Sequence, residues 1–197
     1  MDNAIEIVPA LKRLELKQVG RWEELCMEFL PGLNIITGDG GSGKSTIFRA
    51  IVKAIHPSAK MEYPVSPTIG YTVGDISVEL MAPDITLRIA TSPSLSLVRE
   101  SNEPQGYFNL NLLRSCIEAT PPGSAILVED EVTGVLDAHD YAEAVKLLNM
   151  SLCQVICIIR HRLDPNQFRQ ARIYASFWDK EDDKSRMKLQ QSGEANS

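Results

Sequence analysis

The chain has 197 residues, enough for one domain with a sizeable hydrophobic core, and its 44% hydrophobic and 23% charged residues are typical of globular proteins. A formal net charge of -6 and a pI near 5.1 argue against a generally basic protein that coats nucleic acid, although a local basic patch remains compatible with them. No apolar run reaches the roughly 18 residues of a membrane helix, and the N-terminus lacks a secretory pattern. We therefore expect a cytoplasmic protein with no membrane segment.

The four cysteines are Cys26, Cys116, Cys153 and Cys157, and they form no zinc-type CxxC pair. Cys153 and Cys157 lie within an apolar run. Because free cysteine is among the most buried residue types, we interpret the cysteines as reduced core residues of a cytosolic chain.

Strands in the first part of the chain are predicted from alternating polar and apolar residues or from short apolar runs. These strands are 11–19, 23–29 and 33–37, followed by a hairpin at 75–90. Apolar residues at helical spacing predict a helix at 45–55, which Pro57 ends. The early alternating strands indicate an antiparallel layer beside a central sheet.

The second part of the chain alternates apolar strands with amphipathic helices, which is typical of an α/β fold with a mostly parallel central sheet. The predicted helices are 108–119 and 138–150, and the predicted strands are 124–131, 154–162 and a terminal hairpin of 172–179 with 185–190. We expect a single domain over 1–190, with a reduced helical region around 91–120 and a flexible tail at 191–197.

A phosphate-binding loop is predicted between the strand 33–37 and the helix that follows it. Gly38, Gly43, Lys44 and Ser45 satisfy the G-x-x-x-x-G-K-[ST] pattern. Glycines let successive backbone N–H groups wrap an anion, and the helix adds the partial positive charge of its N-terminus. Lys44 is expected to contact the β- and γ-phosphates, and the Ser45 hydroxyl to hold Mg²⁺. The residues predicted to bind nucleotide here are Gly38, Asp39, Gly40, Gly41, Ser42, Gly43, Lys44, Ser45 and Thr46.

Asp39 places an acid inside this loop. The loop holds phosphate with backbone amides, so the side chain at this position is expected to point to solvent, where its charge interacts weakly. ATP is favoured over GTP because the sequence has no guanine-reading N/T-K-x-D run.

A second acidic site follows the apolar strand 125–128. The strand delivers Asp130 and Glu131 to its carboxyl end, which is where open α/β sheets bind their ligands. Asp130 is predicted to hold Mg²⁺, directly or through water, and Glu131 to orient or deprotonate the water that attacks the γ-phosphate. The sequence therefore predicts ATP and Mg²⁺ as cofactors.

The run Asp130-Glu131-Val132-Thr133-Gly134-Val135-Leu136-Asp137 resembles the D-E-P-T-x-x-L-D run of ABC-type ATPases. This resemblance implies that Leu136 and Asp137 belong to a loop that crosses between two subunits. It also implies that His161, which follows the apolar strand, is the switch histidine that contacts the γ-phosphate. The predicted catalytic residues are Glu131, His161 and Lys44.

The segments LKRLELKQVGRWEELCMEFLPGLNIITGDGGSGKSTIFRAI and YTVGDISVELMAP resemble the head domains of chromosome-structure and DNA-repair ATPases, the SMC and RecF-like group. The resemblance covers most of residues 11–162. It implies a three-layer P-loop NTPase fold of the ABC type, with Arg21 near the nucleotide. For Trp22 two alternatives stay open, because the ring either covers the adenine or packs in the core.

Three features differ from the pattern of that group. There is no LSGGQ-like signature, and only Gly106 stands in the segment where that signature is expected. There is also no clear Q-loop glutamine, and Gln105 is the nearest glutamine to that position. Only about 60 residues separate the phosphate loop from the helix at 108, which leaves no room for a coiled-coil arm. A nucleotide-dependent homodimer would then be weak, or a partner subunit would supply the signature.

The leading hypothesis is an ATP-binding and ATP-hydrolysing head whose nucleotide state gates self-association or partner binding. The alternatives are an ATP-binding switch or scaffold with little turnover, and the ATPase subunit of an ABC transporter. A small-molecule kinase is disfavoured by Glu131 and by the absence of a lid segment. DNA is a partner by family analogy only, because the sequence has no basic stripe with interleaved aromatic residues.

Overall fold

The computed structural model describes residues 8–55, 73–80, 110–130, 138–159, 164–168 and 170–191. Within these ranges the strands are β1 (Val8–Pro9), β2 (Leu11–Val19), β3 (Trp22–Glu28), β4 (Leu33–Gly38), β5 (Val73–Leu80), β6 (Ser124–Asp130), β7 (Gln154–Ile159), β8 (Arg172–Asp179) and β9 (Lys184–Gln191). The helices are α1 (Lys44–Ile55), α2 (Leu110–Ala119) and α3 (Ala138–Asn149), with a 3₁₀ turn at Pro165–Gln167. None of the helices in these ranges is long and apolar enough to cross a membrane.

The strands form two sheets. The larger sheet has the order β1-β6-β7-β4-β8-β9, in which β6, β7, β4 and β8 are parallel and the edge strands β1 and β9 pair antiparallel. The smaller sheet, β3-β2-β5, is antiparallel throughout. The predicted fold class, an α/β fold with a mostly parallel central sheet and an N-terminal antiparallel layer, is confirmed.

The central strands β4 and β7 explain the position of the predicted site. All six side chains of β7 and the first five of β4 are buried, as expected for strands covered on both faces. β4 lies between β7 and β8, so the loop after Gly38 emerges at the carboxyl edge of the sheet, among the ends of its parallel neighbours. Ligands of open α/β sheets bind at this edge.

Hydrophobic cores lie on the two faces of the central sheet. On one face, apolar residues of the antiparallel sheet and of α1 pack against it, including Leu14, Met27 and Ile47, each 0% exposed. On the other face, Leu113 of α2 and Leu148 of α3 are buried in the second cluster. The helix that follows the phosphate loop is therefore fixed between two sheets.

The structure differs from the sequence predictions in a few places. Cys153 and Cys157 are buried free thiols as expected, but Cys26 is exposed because the alternation of β3 places it on the outer face. The prediction that it belongs to the core is wrong. The strand β1 was not predicted, and β9 extends through Gln191 into the expected tail. The second half of the predicted 75–90 hairpin lies outside the described residues.

The side chain of a buried glutamine connects the two sheets through hydrogen bonds. Gln154, 0% exposed, accepts a hydrogen bond from the Leu11 N–H at 2.7 Å and donates to the Leu11 carbonyl at 2.8 Å. Its Nε2 also donates to the Leu30 carbonyl at 2.7 Å. One side chain of β7 therefore satisfies backbone groups of β2 and of the turn before β4.

We expect Gln154→Leu to lower the free energy of unfolding by roughly 2–4 kcal/mol, because both backbone groups of Leu11 would be buried without these partners. Urea unfolding followed by circular dichroism measures this change. The matched control is Gln190→Leu, at an exposed position of β9, which we expect to change stability by less than about 0.5 kcal/mol. Equal effects of the two substitutions would contradict this role of Gln154.

Candidate functional site

The predicted phosphate loop is a tight turn between β4 and α1, and two of its glycines are required by close approach. A Cβ on Gly38 would lie 1.9 Å from the Ser176 carbonyl oxygen, so no side chain fits there. Gly43 has a φ of 89°, and a Cβ on it would lie 2.7 Å from Trp22 Nε1. The loop is thus packed against β8 on one side and against β3 on the other.

Lys44 folds back into this loop and is 6% exposed. Its Nζ donates hydrogen bonds to the carbonyl oxygens of Gly38 and Asp39, each at 2.6 Å, and to Ser42 Oγ at 3.3 Å. The loop therefore brings a buried ammonium together with the backbone N–H groups of the turn, and these are the charge and the donors that a phosphate group requires.

A buried pair of serines ties the loop to β8. The Oγ atoms of Ser42 and Ser176 are 2.6 Å apart, and both residues are almost fully buried. The carbonyl oxygens of Asp39 and Thr37 lie at 2.7 Å from Ser42 Oγ and 3.2 Å from Ser176 Oγ. Sequence reasoning missed Ser176, because its position depends on the pairing of β4 with β8, which places Gly38 beside it.

The remaining residues of the loop are placed as an anion site requires. α1 begins at Lys44, and the Gly43 carbonyl accepts the N–H groups of Thr46 and Ile47. The first N–H groups of a helix have no acceptor within the helix, and they present partial positive charge to the loop. Ser45 is half-buried in this first turn. These groups fit a phosphate and its bound Mg²⁺.

Asp39 agrees with the expectation drawn from the sequence. Asp39, Gly40 and Gly41 are all exposed at the tip of the loop. The Asp39 contacts inside the loop are made by its backbone carbonyl, which accepts from the Ser42 N–H and from Lys44. The acid therefore does not enter the cradle formed by the backbone.

Trp22 supports the loop from the other side. It is 1% exposed, and its Nε1 donates a hydrogen bond to the Gly43 carbonyl at 3.1 Å. Of the two alternatives for this ring, the structure shows core packing. The predicted cover over adenine is not what this buried position offers, because a base would need an exposed ring face for stacking.

Arg21, the residue before it, points to a different aromatic ring. Its guanidinium carbon lies 4.0 Å from the centroid of the Trp178 ring in β8, which is cation–π distance. Trp178 was not predicted as a site residue. The sequence gives one indication of it. Phe177 and Trp178 are adjacent in a predicted strand, so their two large rings must lie on opposite faces of the sheet.

Asp130 is the last residue of β6, and its backbone pairs with Ile159 at the end of β7. A single strand, β7, separates β6 from β4, so Asp130 and the loop stand at the same edge of the sheet. Glu131 and His161 lie outside the described residues, as do Gly106, Leu136 and Asp137. Their predicted roles stay predictions.

Comparison with known proteins is consistent with this architecture. Residues 13–88 match the family described as AAA domain, a segment that includes most of β2 and all of β3 to β5 with the loop and α1. The segment is less than half of the chain.

Two solved structures are similar over nearly the whole chain. An SMC head domain from Thermotoga maritima is 16% identical with a TM-score of 0.56, and the match covers 91% of this chain and 98% of that one. An SMC head bound to the C-winged helix domain of ScpA is 14% identical with a TM-score of 0.55, over 93% and 98% of the two chains. The chain therefore has the fold of an SMC head domain, and its N-terminal segment matches the AAA-domain family.

Proposed function

We propose that the chain binds ATP with Mg²⁺ and hydrolyses it, and that the bound nucleotide gates association with a second copy or with a partner. The observation that carries this proposal is the buried Lys44 ammonium inside the loop, 2.6 Å from each of two carbonyl oxygens. The SMC-type fold and the AAA-domain match support a general ATPase.

Different residues would bind the phosphates, hold the Mg²⁺ ion and support the loop. Loop N–H groups and the start of α1 hold the phosphates, while Lys44 moves its ammonium from the loop carbonyls to the phosphate oxygens. Ser45 and Asp130 would hold Mg²⁺, which neutralises charge on the β- and γ-phosphates. Trp22 and Ser176 keep the loop in shape from its two sides.

Glu131 and His161 are proposed to complete the reaction. In the sequence, Glu131 directly follows Asp130 and His161 is two residues past the end of β7. The strands β6 and β7 both end at the edge where the loop lies. Glu131 would accept the proton of the attacking water, and His161 would hydrogen-bond a γ-phosphate oxygen.

Association is proposed because the chain lacks an LSGGQ-like run. A second copy lacks the same run, so a homodimer would be weak, whereas a partner subunit that carries the run would complete the site across an interface. Leu136-Asp137 would lie at that interface. One of the similar solved heads is bound to a winged-helix domain. DNA as a partner rests on family analogy alone. We also propose that residues 1–190 form a single domain.

The missing run also favours a second candidate, an ATP-dependent switch with little turnover. Steady-state ATPase rate against protein concentration separates the two. A rate per molecule that rises with concentration indicates catalysis by an assembly, and negligible turnover at all concentrations favours the switch. An ABC transporter subunit is less well supported, because the sequence has no clear Q-loop glutamine.

We expect Lys44→Ala to weaken Mg·ATP binding at least tenfold, because a charge-assisted contact with the phosphates is lost. Isothermal titration calorimetry measures the affinity. The control is Lys180→Ala, an exposed lysine of the β8–β9 turn, which we expect to bind as the unmodified chain does. Unchanged binding by folded Lys44→Ala would refute the loop as the phosphate site.

Asp39→Asn tests the statement that the loop binds with its backbone. We expect the ATP affinity to change by less than about tenfold, because the carboxylate is exposed and its interaction with the phosphates is screened. The same calorimetric titration measures this, and a larger change would show that the carboxylate acts on the bound phosphates.

Glu131→Gln should still bind Mg·ATP but hydrolyse it at least about 100-fold more slowly, since the amide cannot accept the proton of the water. Phosphate release and ATP titration on the same sample separate turnover from binding. Glu181→Gln, an exposed acid in the β8–β9 turn, is the control. Turnover of Glu131→Gln equal to that of the control would exclude Glu131 as the base.

The same variant allows the gating proposal to be tested by size. We expect Glu131→Gln to form a larger species on a sizing column when Mg·ATP is present and to lose it when ATP is omitted. An identical elution volume in both conditions, at concentrations well above the Kd for ATP, would contradict ATP-driven self-association.

A further inference from the structure

Two adjacent aromatic residues of β8 are partly exposed, Phe177 at 43% and Trp178 at 38%. Side chains alternate along a strand, so the two rings lie on opposite faces of the sheet. Trp178 shares its face with Ser176, which contacts the loop residue Ser42. The exposed indole is therefore two residues, roughly 7 Å along the strand, beyond a side chain that touches the phosphate loop.

The neighbouring strand connects the backbone of Trp178 to the other end of the loop. Ser185 of β9 is the direct partner of Trp178, and its Oγ is 2.9 Å from the point where a Cβ on Gly43 would stand. The Ser185 N–H donates to the Arg21 carbonyl at 3.1 Å. Arg21 in turn precedes Trp22, whose ring binds the Gly43 carbonyl. Arg21 and Trp178 are thus each the direct neighbour, along the chain or across the sheet, of a residue that approaches Gly43.

The guanidinium of Arg21 lies over the Trp178 ring. Within the described ranges no carboxylate forms a salt bridge with it, and the nearby acid Glu23 pairs instead with Lys184. A flat guanidinium that contacts an indole with one face can bind a second planar group with the other.

We propose that Arg21 and Trp178 form the base subsite of this nucleotide site. A nucleobase stacks on the guanidinium, which Trp178 supports from behind, while the phosphates lie in the loop beside Gly43. This inference rests on the proposed function, because it requires that the loop holds nucleotide phosphates.

The chemistry of this subsite defines the class of nucleotide that it takes. Stacking on a guanidinium plane uses the π-face that every base has, and purines offer the larger face. It reads no exocyclic group, so the subsite favours purines over pyrimidines by contact area alone and does not distinguish adenine from guanine. The aromatic support comes from the C-terminal hairpin instead of the buried Trp22.

The test compares a ligand with a base and a ligand without one. Calorimetric titrations use Mg·ATP, Mg·CTP and inorganic tripolyphosphate with Mg²⁺, on the unmodified chain and on Trp178→Ala, Arg21→Ala and Arg21→Lys. We expect each variant to weaken Mg·ATP binding on the order of tenfold, because one stacking contact is lost. Tripolyphosphate affinity should stay within about twofold, since the loop is untouched. Arg21→Lys keeps the charge but lacks the plane, so it distinguishes stacking from simple attraction.

Phe177→Ala is the matched control, because it removes an equally exposed ring from the opposite face of the same strand. It should bind all three ligands as the unmodified chain does. Equal ATP affinity in Trp178→Ala and Phe177→Ala, or an equal loss for ATP and tripolyphosphate, would overturn the base subsite and leave the proposed function standing. An unmodified chain that binds neither ATP nor tripolyphosphate would overturn both. If Trp178→Ala does not fold, Trp178→Leu and Arg21→Lys decide the same comparison.

Discussion

A lysine ammonium is buried in the turn between β4 and α1, and the surrounding structure must supply hydrogen-bond acceptors for it. Lys44 is 6% exposed, and its Nζ donates hydrogen bonds to two loop carbonyls and a serine hydroxyl. A cation is costly to bury unless its donors are satisfied, so the loop must hold these acceptors within hydrogen-bond distance. The same geometry prepares the turn for an anion, because the carbonyls can release the ammonium to phosphate oxygens that carry full charge.

The loop keeps its shape because separate parts of the chain hold it from two sides. Trp22 binds the Gly43 carbonyl, and Ser176 meets Ser42 within hydrogen-bond distance. Gly38 has no room for a side chain against Ser176. The antiparallel layer and the β8–β9 hairpin therefore have a role in the site beyond covering the core, and the hairpin also carries the exposed Trp178 beside it.

Much of the site could be predicted from the sequence because the information is local. The loop pattern follows an apolar strand and precedes an amphipathic helix, and the outward position of Asp39 follows from how such loops bind anions. Ser176, Trp178 and Gln154 could not be found in this way. Their contacts depend on which strands are neighbours and in which register, and alternation within one strand does not specify either.

Trp22 shows where local reasoning reaches its limit. Its place in an alternating strand fits a buried ring and a ring near the nucleotide equally well, and only the packing of β3 against the loop decides between them. The roles of Glu131 and His161 rest on a resemblance and on their positions in the sequence after β6 and β7, so they remain predictions.

A crystal structure of the chain with Mg²⁺ and a non-hydrolysable ATP analogue tests most directly whether the loop holds the phosphates through Lys44. We expect phosphate oxygens within hydrogen-bond distance of Lys44 Nζ, in place of the Gly38 and Asp39 carbonyls, with the Trp22–Gly43 and Ser42–Ser176 contacts retained. A structure in which the analogue binds elsewhere, while Lys44 stays on the two carbonyls, would contradict this role of the loop.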